Sequence, residues 1–244
     1  MDKLKNILSG ESKNLKVLDV GTGLGDFIEV LKESLPGYSS IIGIDTEQGT
    51  VDKAIEKNRD NRIEFMRMSG ENIEFEDNSV DVISISNTLH HLPNKEKVLH
   101  EIKRVVKQNG IIIINEMISD NQSEKQLSHV AVHHLQGELD TLFGRCHNKT
   151  FTLQELVKLV GNLNLEKVDM FQYNTHEEQE NSENLEEEKE ILDQCFKALE
   201  AKINKISDLK QRLGYLDTLE KLRNKLYNIG IFGATEVMFI CRKS

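Results

Sequence analysis

The residues best suited to chemistry lie in Val17–Phe27, VLDVGTGLGDF. An aliphatic run ends in Asp19-Val20-Gly21-Thr22-Gly23-Leu24-Gly25, and a helical pattern starts at Asp26. Glycines at such a turn let the backbone approach a ligand closely, and the helix N-terminus behind it offers unpaired amides. The spacing is Gly-x-Gly-x-Gly, with Asp26 where the dinucleotide fingerprint carries its third glycine. Asp19, two residues before the first glycine, puts a carboxylate beside the turn, where it suits a cationic or amine-bearing ligand. A second acid, Asp45, closes the next apolar run (IIGIDTE), about where a ribose diol would be gripped by paired hydrogen bonds. A tight turn and a helix-capping acid would leave the same residues in place, so more than the glycines is needed.

The elements around this turn alternate. Leu15–Val20 is predicted as a first strand, Asp26–Leu35 as an amphipathic helix ended by Pro36-Gly37, and Ile41–Ile44 as a second strand. A helix near Val51–Asn58 and a strand at Arg62–Arg67 follow. Val80–Ser86 and Gly110–Asn115 are the most apolar strands and frame a helix around Lys95–Lys107. Runs apolar on both faces, alternating with helices, call for a parallel sheet covered on both sides. Beyond Glu116 the pattern turns helical: Gln122–Phe143, then a helix opened by the Thr152–Glu155 capping box. Leu165–Tyr173 reads as a strand. Apolar residues at threes and fours then run from Glu177 to Asn228, with an N-cap expected at Ser207 or Asp208, before a last strand at Glu236–Cys241. That spacing predicts an antiparallel helical hairpin, with a coiled-coil dimer as the rival.

These blocks, in this order, resemble the class I S-adenosylmethionine-dependent methyltransferases. The resemblance covers the strands from Leu15 to Glu116 plus the return strand. Its third block is Met68–Leu92, MSGENIEFEDNSVDVISISNTLHHL, which is similar to the family's adenine loop, fourth strand and leucine-histidine-histidine-leucine turn. Ser69 stands where many members carry an aspartate, and Val80 replaces the usual phenylalanine. The resemblance implies S-adenosyl-L-methionine as cofactor. It implies that Gly21, Thr22 and Gly23 cradle its methionine part, that Asp19 helps hold the amino group, and that Asp45 binds the ribose hydroxyls, with Thr46 also counted among the cofactor-binding residues. Gly70 and Glu71 fall in the adenine loop, and Asn87 follows the fourth strand beside the methionine part. It also implies an α/β fold: a seven-stranded, mostly parallel sheet with the last strand antiparallel and helices on both faces. Helical insertions are expected after strand five and between strands six and seven. The expected divisions are a cofactor-binding core at 1–118, a helical insertion over the active site at 119–164, and a core strand at 165–175. The hairpin occupies 176–229, as a lid or an oligomer contact, and the return strand 230–244.

The methyl acceptor is less legible. His129 and His133 are i, i+4 neighbours on one helix, His134 adjoins them and His147 follows in GRCHNKTFT, while Glu116 and Asp120 close the fifth strand. His129 and His133 are the candidates for orienting or deprotonating an acceptor. A zinc-like ion on them with a third group, or a structural role, are the other readings, and no metal is expected. With only Pro36 and Pro93, the chain lacks the Pro-Pro motif of adenine-N6 enzymes, and it lacks a Pro-Cys nucleophile. Thirty-one Lys and Arg against 41 Asp and Glu give a net charge of −10, so nucleic acid is disfavoured and a small-molecule acceptor is expected. Three widely spaced cysteines without a CxxC pair, no leader-like N-terminus and no long apolar run lead to a cytoplasmic expectation without membrane contact. A homodimer through 177–228 is left open. So is a binding or methylating protein that recruits a partner protein through that hairpin. A nicotinamide-dependent oxidoreductase is disfavoured by the glycine spacing.

Overall fold

A computed structural model describes residues 2–174 and 185–244. The first, glutamate-rich part of the expected hairpin therefore lies outside the described residues. The strands are β1 (Leu15–Val20), β2 (Tyr38–Asp45), β3 (Ile63–Arg67), β4 (Val80–Ser86), β5 (Val106–Met117), β6 (Glu166–Tyr173) and β7 (Glu236–Arg242). They form one seven-stranded sheet in the order β3-β2-β1-β4-β5-β7-β6, with the last strand antiparallel. The β5–β7 pairing is visible where Asn109 N–H donates to Lys243 O and Lys243 N–H donates to Gly110 O, 2.8 and 3.1 Å. The helices are α1 (Asp2–Leu8), α2 (Asp26–Ser34), α3 (Gln48–Lys57), α4 (Lys95–Val105), α5 (Glu124–Leu142), α6 (Leu153–Gly161), α7 (Leu185–Ile203) and α8 (Leu209–Ile229).

The order reverses between β1 and β4, and in parallel sheets that is where a crevice opens beyond the strand ends. Asp19 of β1 lies level with Gly43 of β2 and Ser84 of β4. This row therefore offers a carboxylate, a hydroxyl on one side and no side chain on the other. On either side of it along the strands Val17, Leu18, Ile41, Ile44, Ile83 and Ile85 are fully buried, which removes the apolar surface that made those runs legible.

By its contacts the chain divides into two compact units. The first holds Met1–Glu116, Val157–Phe171 and Met238–Ser244, the second Met117–Leu156 and Gln172–Val237. In the second unit α5 opens with a capping box: Ser123 Oγ accepts from Gln126 N–H, and the Gln126 side chain accepts from Ser123 N–H. Thr152 and Glu155 make the reciprocal bonds expected of them. Asp208 caps α8 by accepting from Gln211 N–H at 2.7 Å. The α7–α8 stripe packs on α5: Leu192, Phe196, Leu199, Leu219 and Leu226 form one buried cluster with Val132, Leu135 and Leu139. Leu209 and Leu213, at the start of α8, lie outside that cluster and are exposed. No helix among the described residues is long and apolar enough to cross a membrane.

Candidate functional site

The turn after β1 is built by its glycines. Gly21 and Thr22 donate their N–H groups to Ile44 O at 2.9 and 3.0 Å, which folds the chain back over the end of β2. Gly21 has φ +68°, and a Cβ there would lie 2.3 Å from the Thr88 side chain, so no other residue fits. Gly23, at φ +55°, has open space where a Cβ would stand, and its backbone is bare toward an approaching ligand.

Asp19 is 1% exposed. Its Oδ1 accepts from Ser84 Oγ at 2.6 Å, while Oδ2 is buried with no hydrogen-bond partner. Burial raises its carboxyl to about 6, against the pull of the Ser84 hydroxyl and the nearby Thr22 side chain, and the charge of Asp45 adds to the rise. A buried carboxylate oxygen left open in this way is costly unless a ligand cation or donor completes it. Asp45 takes Gly23 N–H on Oδ2 at 3.1 Å and Glu47 N–H on Oδ1 at 3.0 Å. Each oxygen keeps a further lone pair, and two such acceptors suit a vicinal diol. An ammonium at Asp19, a diol at Asp45 and a bare glycine turn between them match the functional groups of S-adenosylmethionine.

The other expected cofactor residues lie in the same unit. Asn87 follows β4 in the left-handed conformation, φ +46°, with its N–H on Asn115 O at 2.8 Å. Thr46 O accepts from Arg67 Nε at 3.1 Å. Glu71 engages Asn94 Nδ2 at 3.2 Å and pairs with Lys97, so its side chain holds the start of α4. Gly70 is needed for packing, since a Cβ would lie 2.9 Å from Val20.

One organising residue was placed by the sequence but not understood from it. Glu116, at 0% exposure, accepts from Thr88 and Leu89 N–H on Oε1 at 2.9 and 2.6 Å, and its Oε2 pairs with His90 Nδ1 at 2.8 Å. It therefore clamps the turn after β4, which in turn sets Thr88 against Gly21. The only signal for it was an acid closing an otherwise aliphatic strand.

In the second unit the histidines separate. His129 Nδ1 accepts from Ala234 N–H at 2.9 Å, so its ring is committed to the segment entering β7. His133 Nε2 instead faces His147 Nε2 at 3.1 Å, and His147 Nδ1 lies 2.9 Å from Asp140 Oδ2. His134 Nε2 meets Thr150 Oγ1 at 2.9 Å. The i, i+4 neighbours read from the sequence thus face different partners, and His133 and His147 are the two rings that converge. Asp120 caps α6 through Leu153 N–H at 2.8 Å.

Residues 18–114 match the family described as "Methyltransferase domain". The ubiquinone/menaquinone biosynthesis C-methyltransferase UbiE of Campylobacter jejuni is 33% identical over 108 residues, 43% of this chain and 45% of that enzyme. The demethylmenaquinone methyltransferase of Thermotoga maritima is 32% identical over 106 residues, with the same shares. The chain thus spans about half the length of the curated relatives it matches. Among solved structures, a Bacillus halodurans protein described as a "putative methyltransferase" has a TM-score of 0.60 at 18% identity, covering 99% of this chain and 97% of that one. Phosphoethanolamine N-methyltransferase 2 of Haemonchus contortus, solved with S-adenosyl-L-methionine, has a TM-score of 0.57 at 18% identity, with 99% of this chain and 52% of that one covered. At such identities these two show the fold alone. The match to a methyltransferase domain thus spans residues 18–114, the stretch that carries the end of β1, the glycine turn, β2 to β4 and most of β5.

Proposed function

We propose that the protein transfers a methyl group from S-adenosylmethionine to a small-molecule acceptor. The observation that carries this is Asp19, buried at the switch point of the sheet with one carboxylate oxygen unpartnered beside a bare glycine turn. In this reading Asp19 holds the cofactor's ammonium, Asp45 its ribose, and Gly21, Thr22 and Gly23 approach the methionine part. Thr46, Gly70, Glu71 and Asn87 complete the surround. The cofactor supplies an activated methyl group, so the protein's work is chiefly to align a nucleophile behind it and keep water out.

The relatives named as quinone C-methyltransferases support a small acceptor, but the likeness ends within the cofactor-binding half. The missing Pro-Pro and Pro-Cys motifs favour the same class. Calorimetry with S-adenosylmethionine, its demethylated product and NAD tests the cofactor part: the first two bind and NAD does not. Methyl-labelled cofactor incubated with size-fractionated extract tests the acceptor part, with label expected in the low-mass fraction. Label confined to protein or nucleic acid would replace the small acceptor with a macromolecule.

A further inference from the structure

The geometry points to a divalent transition-metal site on His133 and His147, open toward a cleft in the second unit. It is independent of the function proposed above, because every residue it uses lies in the second unit, in α5, the loop after it, α7 or α8. His147 is buried, and its Nδ1 faces a carboxylate that is fixed in turn. Asp140 is ion-paired with Lys202 Nζ and accepts from Gln136 Nε2 at 3.1 Å. With the Lys202 ammonium on one oxygen, Asp140 is a carboxylate that accepts on the other, which puts the shared proton on His147 Nδ1. In the neutral ring, the remaining nitrogen of His147, Nε2, then carries a lone pair, and that nitrogen lies 3.1 Å from His133 Nε2.

A carboxylate behind one ring nitrogen, with the other nitrogen turned toward a second imidazole, is how metal-binding histidines are oriented and made more basic. Two nitrogens each 2.0–2.1 Å from a tetrahedral zinc ion stand about 3.3 Å apart, close to the separation found here. The fold holds His147 tightly in this pose. Thr141 Oγ1 donates to His147 O at 3.1 Å. Gly137 leaves room for the ring, since a Cβ there would lie 3.1 Å from its Cδ2. An entry path exists as well: an open cleft of about 450 Å³ is lined by His147, His134, Glu138, Thr141, Lys149 and Tyr215. Two protein nitrogens leave coordination positions of a four-coordinate ion for water or a small ligand with an oxygen or sulfur donor. Imidazole donors select zinc, cobalt, nickel or copper over magnesium and calcium.

The test uses the full chain freed of metal by chelator and then titrated with Zn²⁺, Co²⁺ or Mg²⁺ alone. One equivalent of Zn²⁺ is expected to bind and raise the thermal midpoint. Co²⁺ is expected to give the visible absorption of a nitrogen-ligated site, and Mg²⁺ to do neither. His133→Gln and His147→Gln are each expected to weaken Zn²⁺ binding at least tenfold, and Asp140→Asn to weaken it about 10- to 100-fold without removing a ligand. His100→Gln, at an exposed position on α4, is expected to change nothing. Wild-type protein with neither a Zn²⁺-dependent rise nor a Co²⁺ spectrum overturns the proposal without any variant. So does a folded His133→Gln that binds as the wild type does.

Discussion

Asp19 is the residue whose chemistry is most exposed to test. Its carboxyl stands at about 6 in the folded protein against an ordinary 3.8. Between about pH 4 and 6 the folded protein holds a proton that the unfolded chain has lost, so stability is greatest below that window and declines as pH rises through it. The loss amounts to about 3 kcal/mol by pH 7. A ligand ammonium favours the ionised carboxylate and reverses the balance. Affinity for the demethylated cofactor should therefore rise with pH, approaching tenfold per unit below about 6, and level off above it. Calorimetry from pH 5 to 8 measures this, and Asp19→Asn should bind weakly with a flat profile; a flat wild-type profile would remove Asp19 from the site. The two acids and the glycines could be singled out because local spacing marks them. Glu116 was not, since Thr88, Leu89 and His90 lie 26 to 28 residues before it. The His133–His147 pairing was hidden likewise, because periodicity ranks His129 and His133 as equals and only the loop after α5 decides between them.

At the scale of elements, the central strands could be read directly because burial on both faces leaves nothing but aliphatic residues in them. α1 could not. Seven residues carry too little periodicity, and its reality comes from Leu4 and Leu8, both fully buried, and from Lys3 pairing with Asp169 on β6. For α7 and α8 the spacing gave the helices but not the extent of the covered face, so Leu209 and Leu213 belong to the stripe and yet stay exposed. The largest fully buried side chain of that hairpin is Phe196, 1% exposed, with the Tyr227 ring edge-on at 5.7 Å and the Arg223 guanidinium over its face at 5.5 Å. Truncation there removes a large buried side chain that the neighbours cannot close over. Phe196→Ala should destabilise by about 3–5 kcal/mol. Urea unfolding followed by circular dichroism, with hydrogen exchange of α7 and α8 amides, reads the loss; a change below about 1 kcal/mol would mean that the cluster rearranges to fill the space.

For the molecule as a whole, net charge decides less than its placement. Eight glutamates and one lysine between 177 and 190 account for seven of the ten net negative charges, leaving the rest of the chain near neutral. Net charge alone therefore argues weakly against a nucleic-acid acceptor. The pairing of the cations argues more strongly. Arg62 is held by Asp60, Arg104 by Asp77 and Glu101, Lys107 by Asp81, Arg223 by Glu200 and Glu220, and Arg242 by Glu11. Affinity for a phosphate backbone comes largely from counterions released when free cations neutralise phosphates, and a guanidinium already facing a carboxylate contributes little to that release. A transfer RNA or a 30-base-pair duplex should accordingly show no retardation by 10 µM protein at 150 mM salt. Any binding at low salt should follow a shallow slope, with one or two phosphates neutralised. Micromolar affinity at 150 mM salt with a steep slope would instead reveal a basic face despite these pairs, and the search for an acceptor would have to turn from metabolites to RNA or DNA.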